Sequence, residues 1–150
     1  MLRLSKKADY ALIAMKHLAQ KPGAPSCNAV SARDIAEQYD IPIELLAKIL
    51  QRLVRRSLLV SQQGTRGDYQ LARMHERISV ADVIQAIDGP FTVTACSTEK
   101  SDCEQFGKCS IRDPLWQIRE RIVTALGTVS LAEMANETVP AATPVAVMRR

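Results

Sequence analysis

The stretch from Ile35 to Leu71, IAEQYDIPIELLAKILQRLVRRSLLVSQQGTRGDYQL, constrains the fold more than any other part of the chain. Just ahead of it, Ser31-Ala-Arg-Asp34 has the spacing of a helix-opening capping box, and Ile35, Ala36 and Tyr39 make the inward stripe of a short helix. Asp40 takes the turn, where an acidic side chain tolerates a left-handed backbone, and Pro42 restarts a helix at a first-turn position. Leu46, Ile49, Leu50, Leu53 and Val54 then recur at helical spacing. Their inward stripe leaves Pro42, Glu44, Ala47, Lys48, Gln51, Arg52 and Arg55 on the outer face, which is polar and mostly basic. Two short runs, Leu58 to Ser61 and Tyr69 to Leu71, flank a connection holding Gly64 and Gly67, as expected for a hairpin. Two helices followed by a hairpin read as a winged helix-turn-helix, so the expected fold is mainly α with a small β-wing.

That arrangement suits double-stranded DNA. Pro42, Glu44, Lys48 and Gln51 are placed where a helix reaches base edges or phosphates in a major groove, and Arg52 and Arg55, further along, suit phosphate. At the wing tip Arg66 is the candidate for an adjacent minor groove and Thr65 for phosphate. The same periodicity also fits a three-helix core that holds no nucleic acid. Charge distribution favours DNA: Met1 to Arg73 carry twelve Lys or Arg against six Asp or Glu, whereas Met74 to Arg150 carry eight against ten. The basic excess sits with the reading head, as counterion release and electrostatic steering require.

The rest of the chain supports this head. A first helix is expected from about Ser5 to Ala19, with Ala8, Ala11, Leu12, Met15 and Leu18 inward. Lys6 and Lys7 oppose its dipole in the first turn, so an outside phosphate would offset them. Lys6, Lys7, Asp9 and Lys16 interrupt the apolar run at the N-terminus, which argues against a membrane span or signal peptide and for a cytoplasmic protein. Lys21 to Ala29 reads as a loop, with Cys27 an incidental thiol. Ser79-Val-Ala-Asp82 opens a core-packing helix that Gly89-Pro90 stops.

Three cysteines, Cys96, Cys103 and Cys109, then fall within fourteen residues of irregular sequence. In a reducing compartment such thiols suit an iron-sulfur cluster with one further donor, a zinc site, a thiol-disulfide switch, or no shared role. The paired spacing common in zinc sites is missing, and His17 and His75 lie far off in sequence. The two histidines also form no catalytic constellation, so an enzyme is not expected. Asp113-Pro114 is positioned to cap a long helix reaching about Leu126, with Leu115, Ile118, Ile122 and Leu126 as an apolar seam. That seam calls for the core of its own subunit or a two-fold mate. Gly127 should end it, Ser130 should open one more short helix, and Thr138 to Arg150 reads as a disordered tail.

The run IPIELLAKILQRLVRRSLLVSQQGTRGDYQLAR, then ISVADVIQAIDGP, three close cysteines and a helix bearing Trp116, resembles the IscR-like family of bacterial transcription regulators. The opening MLRLSKKADYAL is most similar to members that regulate the Suf iron-sulfur assembly operon. The resemblance, over about Met1 to Ala135, implies a homodimeric winged-helix repressor with a dimerisation helix at Pro114 to Leu126. It also implies a two-iron or four-iron cluster on Cys96, Cys103 and Cys109 whose state controls binding to promoter DNA. The implied organisation is a DNA-binding domain over 1–90, a cysteine loop over 91–110, a dimerisation unit over 111–137 and a tail over 138–150.

Some positions depart from the family. Where its namesake has a histidine ligand three residues after the third cysteine, this chain has Arg112, which does not ligate. Nitric-oxide sensors of the family take a carboxylate from the partner's first helix, and Asp9 stands at the matching place. Glu99, Asp102 and Glu104 offer other oxygen donors. Gly67-Asp68 replaces a Gly-Gly in the wing, Gln63 a wing arginine, and Ala47 an acidic base-reading residue.

Overall fold

A computed structural model describes residues 3–20, 29–62, 67–94 and 103–136. In chain order these form α1 (Lys6–Gln20), β1 (Val30–Ser31), α2 (Ala32–Gln38), α3 (Ile43–Arg55), β2 (Leu59–Gln62) and β3 (Asp68–Leu71). A 3-10 turn at His75–Arg77 leads to α4 (Val80–Asp88), α5 (Arg112–Thr128) and α6 (Leu131–Ala135). The reading of a mainly helical chain with a small β-wing is borne out.

The helix-turn-helix owes its sharp turns to two residues with positive φ, Asp40 at 53° and Ser57 at 58°. After α2, Ile41 N–H reaches back to the Ala36 carbonyl at 3.0 Å. After α3, Leu58 N–H bonds the Leu53 carbonyl at 3.0 Å and Ser57 N–H bonds that of Val54 at 3.0 Å. This is the Schellman pattern, in which one left-handed residue satisfies the last carbonyls of the helix. Asp40 occupies the turn as the sequence led us to expect; Ser57 in the same role carries no sequence signal. Ser31 caps α2 by accepting from Asp34 N–H at 3.1 Å.

The core is one cluster gathered from every helix but α5. Ala8, Ala11, Ala14 and Met15 of α1 meet Ile35, Leu46, Leu50, Leu53, Ile78, Val83 and Leu131, all essentially without exposure. Small residues on α1 let its backbone lie close against its neighbours, so this helix packs on α3, α4 and α6 together. At α4, Ser79 and Asp82 form the reciprocal capping box foreseen from their spacing. Leu131 N–H bonds the Ile78 carbonyl at 2.8 Å, and Val80 N–H bonds that of Val129 at 2.9 Å. These bonds return the end of α5 to the start of α4.

Several local expectations need correction. The sheet has three antiparallel strands in the order β1-β3-β2, with Val30 opposite Tyr69 and Leu59 opposite Leu71. A two-residue strand leaves no periodicity to detect, so β1 read only as loop and cap. Pro42 is the cap of α3 rather than its first helical residue. Asp113 does not cap α5: Ile111 does, without a side-chain bond, and Arg112 and Asp113 lie inside the first turn. Gly127 does not end that helix, which runs on to Thr128. The tail from Thr138 to Arg150 lies outside the described residues.

Candidate nucleic-acid interface and cysteine loop

On α3 the pattern works as expected: Leu46, Ile49, Leu50 and Leu53 are buried, while Pro42, Glu44, Lys48, Gln51, Arg52 and Arg55 are exposed. At about 100° per residue, Glu44, Lys48, Gln51 and Arg55 cluster opposite the buried stripe. Arg52 and Arg56 fall together on one flank, toward α4. There Arg52 Nε donates to the Ala86 carbonyl at 3.0 Å. At the helix start Ile43 is 46% exposed beside an open groove shared with Arg33, Glu37 and Asp40. Lys6 and Lys7 are exposed at the N-terminus of α1, and Lys6 Nζ sits 5.4 Å from the centroid of the Tyr10 ring. Thr65 and Arg66 lie outside the described residues; the β-hairpin that carries them pairs in register from Leu59–Leu71 to Gln62–Asp68.

Two arginines were not foreseen. Arg56 and Arg73 line a shallow cleft of about 150 Å³ with Asp82 and Gln85, where the end of α3 meets the base of the wing and α4. The signal for Arg56 was available, because it lies four residues after Arg52. Arg73 follows a strand and gives no such pattern.

Of the three clustered cysteines, Cys103 and Cys109 are described and Cys96 is not. Both are free thiols, Cys103 exposed and Cys109 half-buried. The segment between them folds as turns, with Phe106 N–H on the Cys103 carbonyl at 3.0 Å and Lys108 N–H on that of Gln105 at 2.9 Å. Arg112 holds this turn to α5. One terminal nitrogen donates to the Phe106 carbonyl at 3.3 Å, and the guanidinium carbon stands 4.7 Å from the centre of the Phe106 ring. Its Nε donates to Asp113 at 2.8 Å, and this bond and the adjacent charge hold the Asp113 carboxyl below the ordinary carboxylate range.

The donor chemistry fits an iron-sulfur group. Two unpaired thiols, Cys103 and Cys109, stand six residues apart on a tight turn, and thiolate is the ligand such clusters take. Asp9 is half-exposed in the first turn of α1, its N–H on the Ser5 carbonyl at 3.1 Å. Among the described residues no three His, Cys, Asp or Glu side chains of the chain converge on a metal position. Asp9 therefore does not join Cys103 and Cys109 within one protomer.

The most unusual element is α5, a helix of 17 residues with no buried side chain. Ile111, Ile118 and Val129 lie along one edge at 61%, 46% and 36% exposure, and Trp116 is 43% exposed on another. None of the described helices is long and apolar enough to cross a membrane.

Comparison with known proteins gives a consistent answer. Residues 4–137 match Rrf2, described as an iron-dependent transcriptional regulator. An HTH-type transcriptional regulator of Mycobacterium tuberculosis is 34% identical over 140 residues, covering 93% of this chain and 84% of its own. The HTH-type transcriptional regulator IscR of Xenorhabdus nematophila is 34% identical over 136 residues, covering 90% and 80%. Among solved structures, CymR of B. subtilis, the global cysteine regulator, superposes with a TM-score of 0.70 at 26% identity, covering 90% and 97%. IscR of T. potens does so at 0.66 and 27%, covering 89% and 85%.

Proposed function

From the premise that the chain belongs to the Rrf2 family of transcription regulators, we propose that it is a homodimeric, iron-sulfur-cluster-dependent repressor of iron-sulfur assembly or iron and nitrosative stress genes. That it is a DNA-binding winged-helix regulator rather than an enzyme follows from the family; the cofactor, its control of binding and the target genes are our reading. The observation that carries this reading is the pair of free cysteines, Cys103 and Cys109, on a turn that runs directly into α5.

In this reading Lys48 and Gln51 engage the major groove, Arg55 and the lysines of α1 the phosphates, and Thr65 and Arg66 the wing contacts. Cys96, Cys103 and Cys109 hold the cluster, with Asp9 of a two-fold mate as the fourth donor. A bound cluster supplies a centre whose redox state and presence respond to iron and oxidants. The protein converts that into geometry through connectivity. Cys109 is two residues from Ile111, the cap of α5, and Arg112 ties the turn to the same helix. Any change in how the thiols are held is therefore delivered to the start of α5, and through a dimer seam to the separation of two reading heads. Replacing Cys103 with Ala should abolish the visible absorption of protein prepared without oxygen, and a variant that keeps its colour would remove Cys103 from the ligand set.

Exposure of Cys103 also favours a second reading, a metal-free thiol switch, since an accessible thiol is open to oxidation. It predicts a colourless protein whose DNA binding changes with oxidant and is restored by reductant.

A further inference from the structure

Helix α4 ends in an unusual way. The amide that would close the next helical bond onto the Ala86 carbonyl belongs to residue 90, which is proline and has no N–H. Gly89 N–H still reaches the Gln85 carbonyl at 3.0 Å, so the ladder stops one step short and Ala86 is left without a helical donor. Arg52 of the reading helix supplies one, its Nε lying 3.0 Å from that oxygen in a part-buried position. Beyond the proline, Arg119 of α5 donates its own Nε to the Phe91 carbonyl at 2.7 Å. On the near side Ser5, at the head of α1, donates its hydroxyl to Asp88 at 2.5 Å. Six residues, Ala86 to Phe91, thus receive a bond from α3, from α5 and from the start of α1.

The charge logic agrees. The last carbonyls of a helix carry partial negative charge, and a guanidinium there is favourable. Arg52 also lies about 60° around the helix from Arg55 and off the centre of the outward face. Its position and its bond favour contact with protein over contact with DNA.

We propose that Arg52 is a positioning residue for DNA binding. With Arg119 it pins the Ala86–Phe91 corner as the joint through which the pose of α5 sets that of α3. This rests on the reading of α3 as the DNA-reading helix. An open cleft of about 190 Å³ beside Asp88, Pro90 and Phe91 gives the corner room to shift. Because both pins end on backbone carbonyls, the joint depends chiefly on a donor at Nε, and the charge adds to it without being required.

Glutamine tests this directly, since its amide nitrogen follows the third side-chain carbon as Nε of arginine does, without the charge. The probe is a duplex selected from a randomised pool by the wild-type protein, titrated at several salt concentrations, with sedimentation confirming equal assembly. R52M and R119M should each weaken binding about tenfold, the scale of leaving a part-buried carbonyl without its donor, while R52Q and R119Q stay within about threefold of wild type. The salt dependence should be unchanged in all four, and R52M/R119M should lose less than the product of the single losses. Equal losses in R52Q and R52M, with the slope of log affinity on log salt falling by about 0.9, would make Arg52 a phosphate contact and overturn the proposal. Full activity of R119M, or additive losses, would overturn the joint. If R52M does not fold, R52Q alone decides, because a phosphate contact predicts its failure. K48A separates the two levels: if it leaves affinity and slope untouched, the assignment of α3 as the reading helix fails first.

Discussion

Replacing Ile118 tests whether α5 is covered by a second copy of the chain. Ile118 keeps 46% of its surface exposed on a helix that buries none of its own side chains. Fully burying an isoleucine is worth about 1.5–3 kcal/mol, so covering the remaining half contributes about 1 kcal/mol per subunit. A two-fold seam uses the residue twice, and I118A should therefore weaken the dimer by about 2 kcal/mol, roughly thirtyfold in dissociation constant. I118E should do far more, because two unpaired carboxylates would be desolvated on the same seam. Sedimentation velocity over a broad concentration range, with circular dichroism to confirm the helical content, measures both. A folded I118E that sediments as the wild type at every concentration would refute the seam. Were the I118E monomer to bind DNA as tightly as wild type, the coupling of two heads through α5 would be refuted as well.

Other perturbations read separate parts of the molecule. K48A should reduce the salt slope of DNA binding by about 0.9, measured by fluorescence anisotropy, if Lys48 neutralises one phosphate. Ser57→Gly should stabilise the fold by about 0.5–1 kcal/mol, read from denaturant melts, since it removes a side chain from a left-handed turn at some gain in unfolded-state freedom. For Asp113 the sign runs one way: its folded pKa is lowered by Arg112, so the pair favours the carboxylate, and the small benefit present above the ordinary carboxylate range fades as pH falls through the lowered value. In R112A the Asp113 carboxyl, followed by carbon-detected NMR, should titrate at higher pH than in the wild type; an unmoved titration would dissolve the pairing.

Much of the reading head was legible because local rules and global packing agree there. Leu46, Ile49, Leu50 and Leu53 repeat at helical spacing and are buried, and Ser31, Ser79 and Ser130 each accept a bond from the residue three ahead. Asp40 announced its turn, while Ser57 makes an equivalent one without a residue type that signals it. The limits of α5 differ from those its residue types suggest for a related reason. Asp113-Pro114 and Gly127 have the residue types of helix ends, but Arg112 spends its guanidinium on the cysteine turn and Asp113 answers it from inside the first turn.

Sequence by itself determined the helix-turn-helix, the hairpin behind the wing, the basic face of α3 and the presence of clustered thiols. All of these are written in short-range spacing, and short-range spacing is what helices, caps and turns obey. Only the tertiary structure decided which of the outward arginines is committed to protein. Arg52 and Arg55 are both basic and both outward in the sequence, and what commits Arg52 to protein is a proline thirty-eight residues beyond it that leaves one carbonyl needing a donor. A long-range contact of that kind has no periodicity, so it exists for a reader only once the chain is folded.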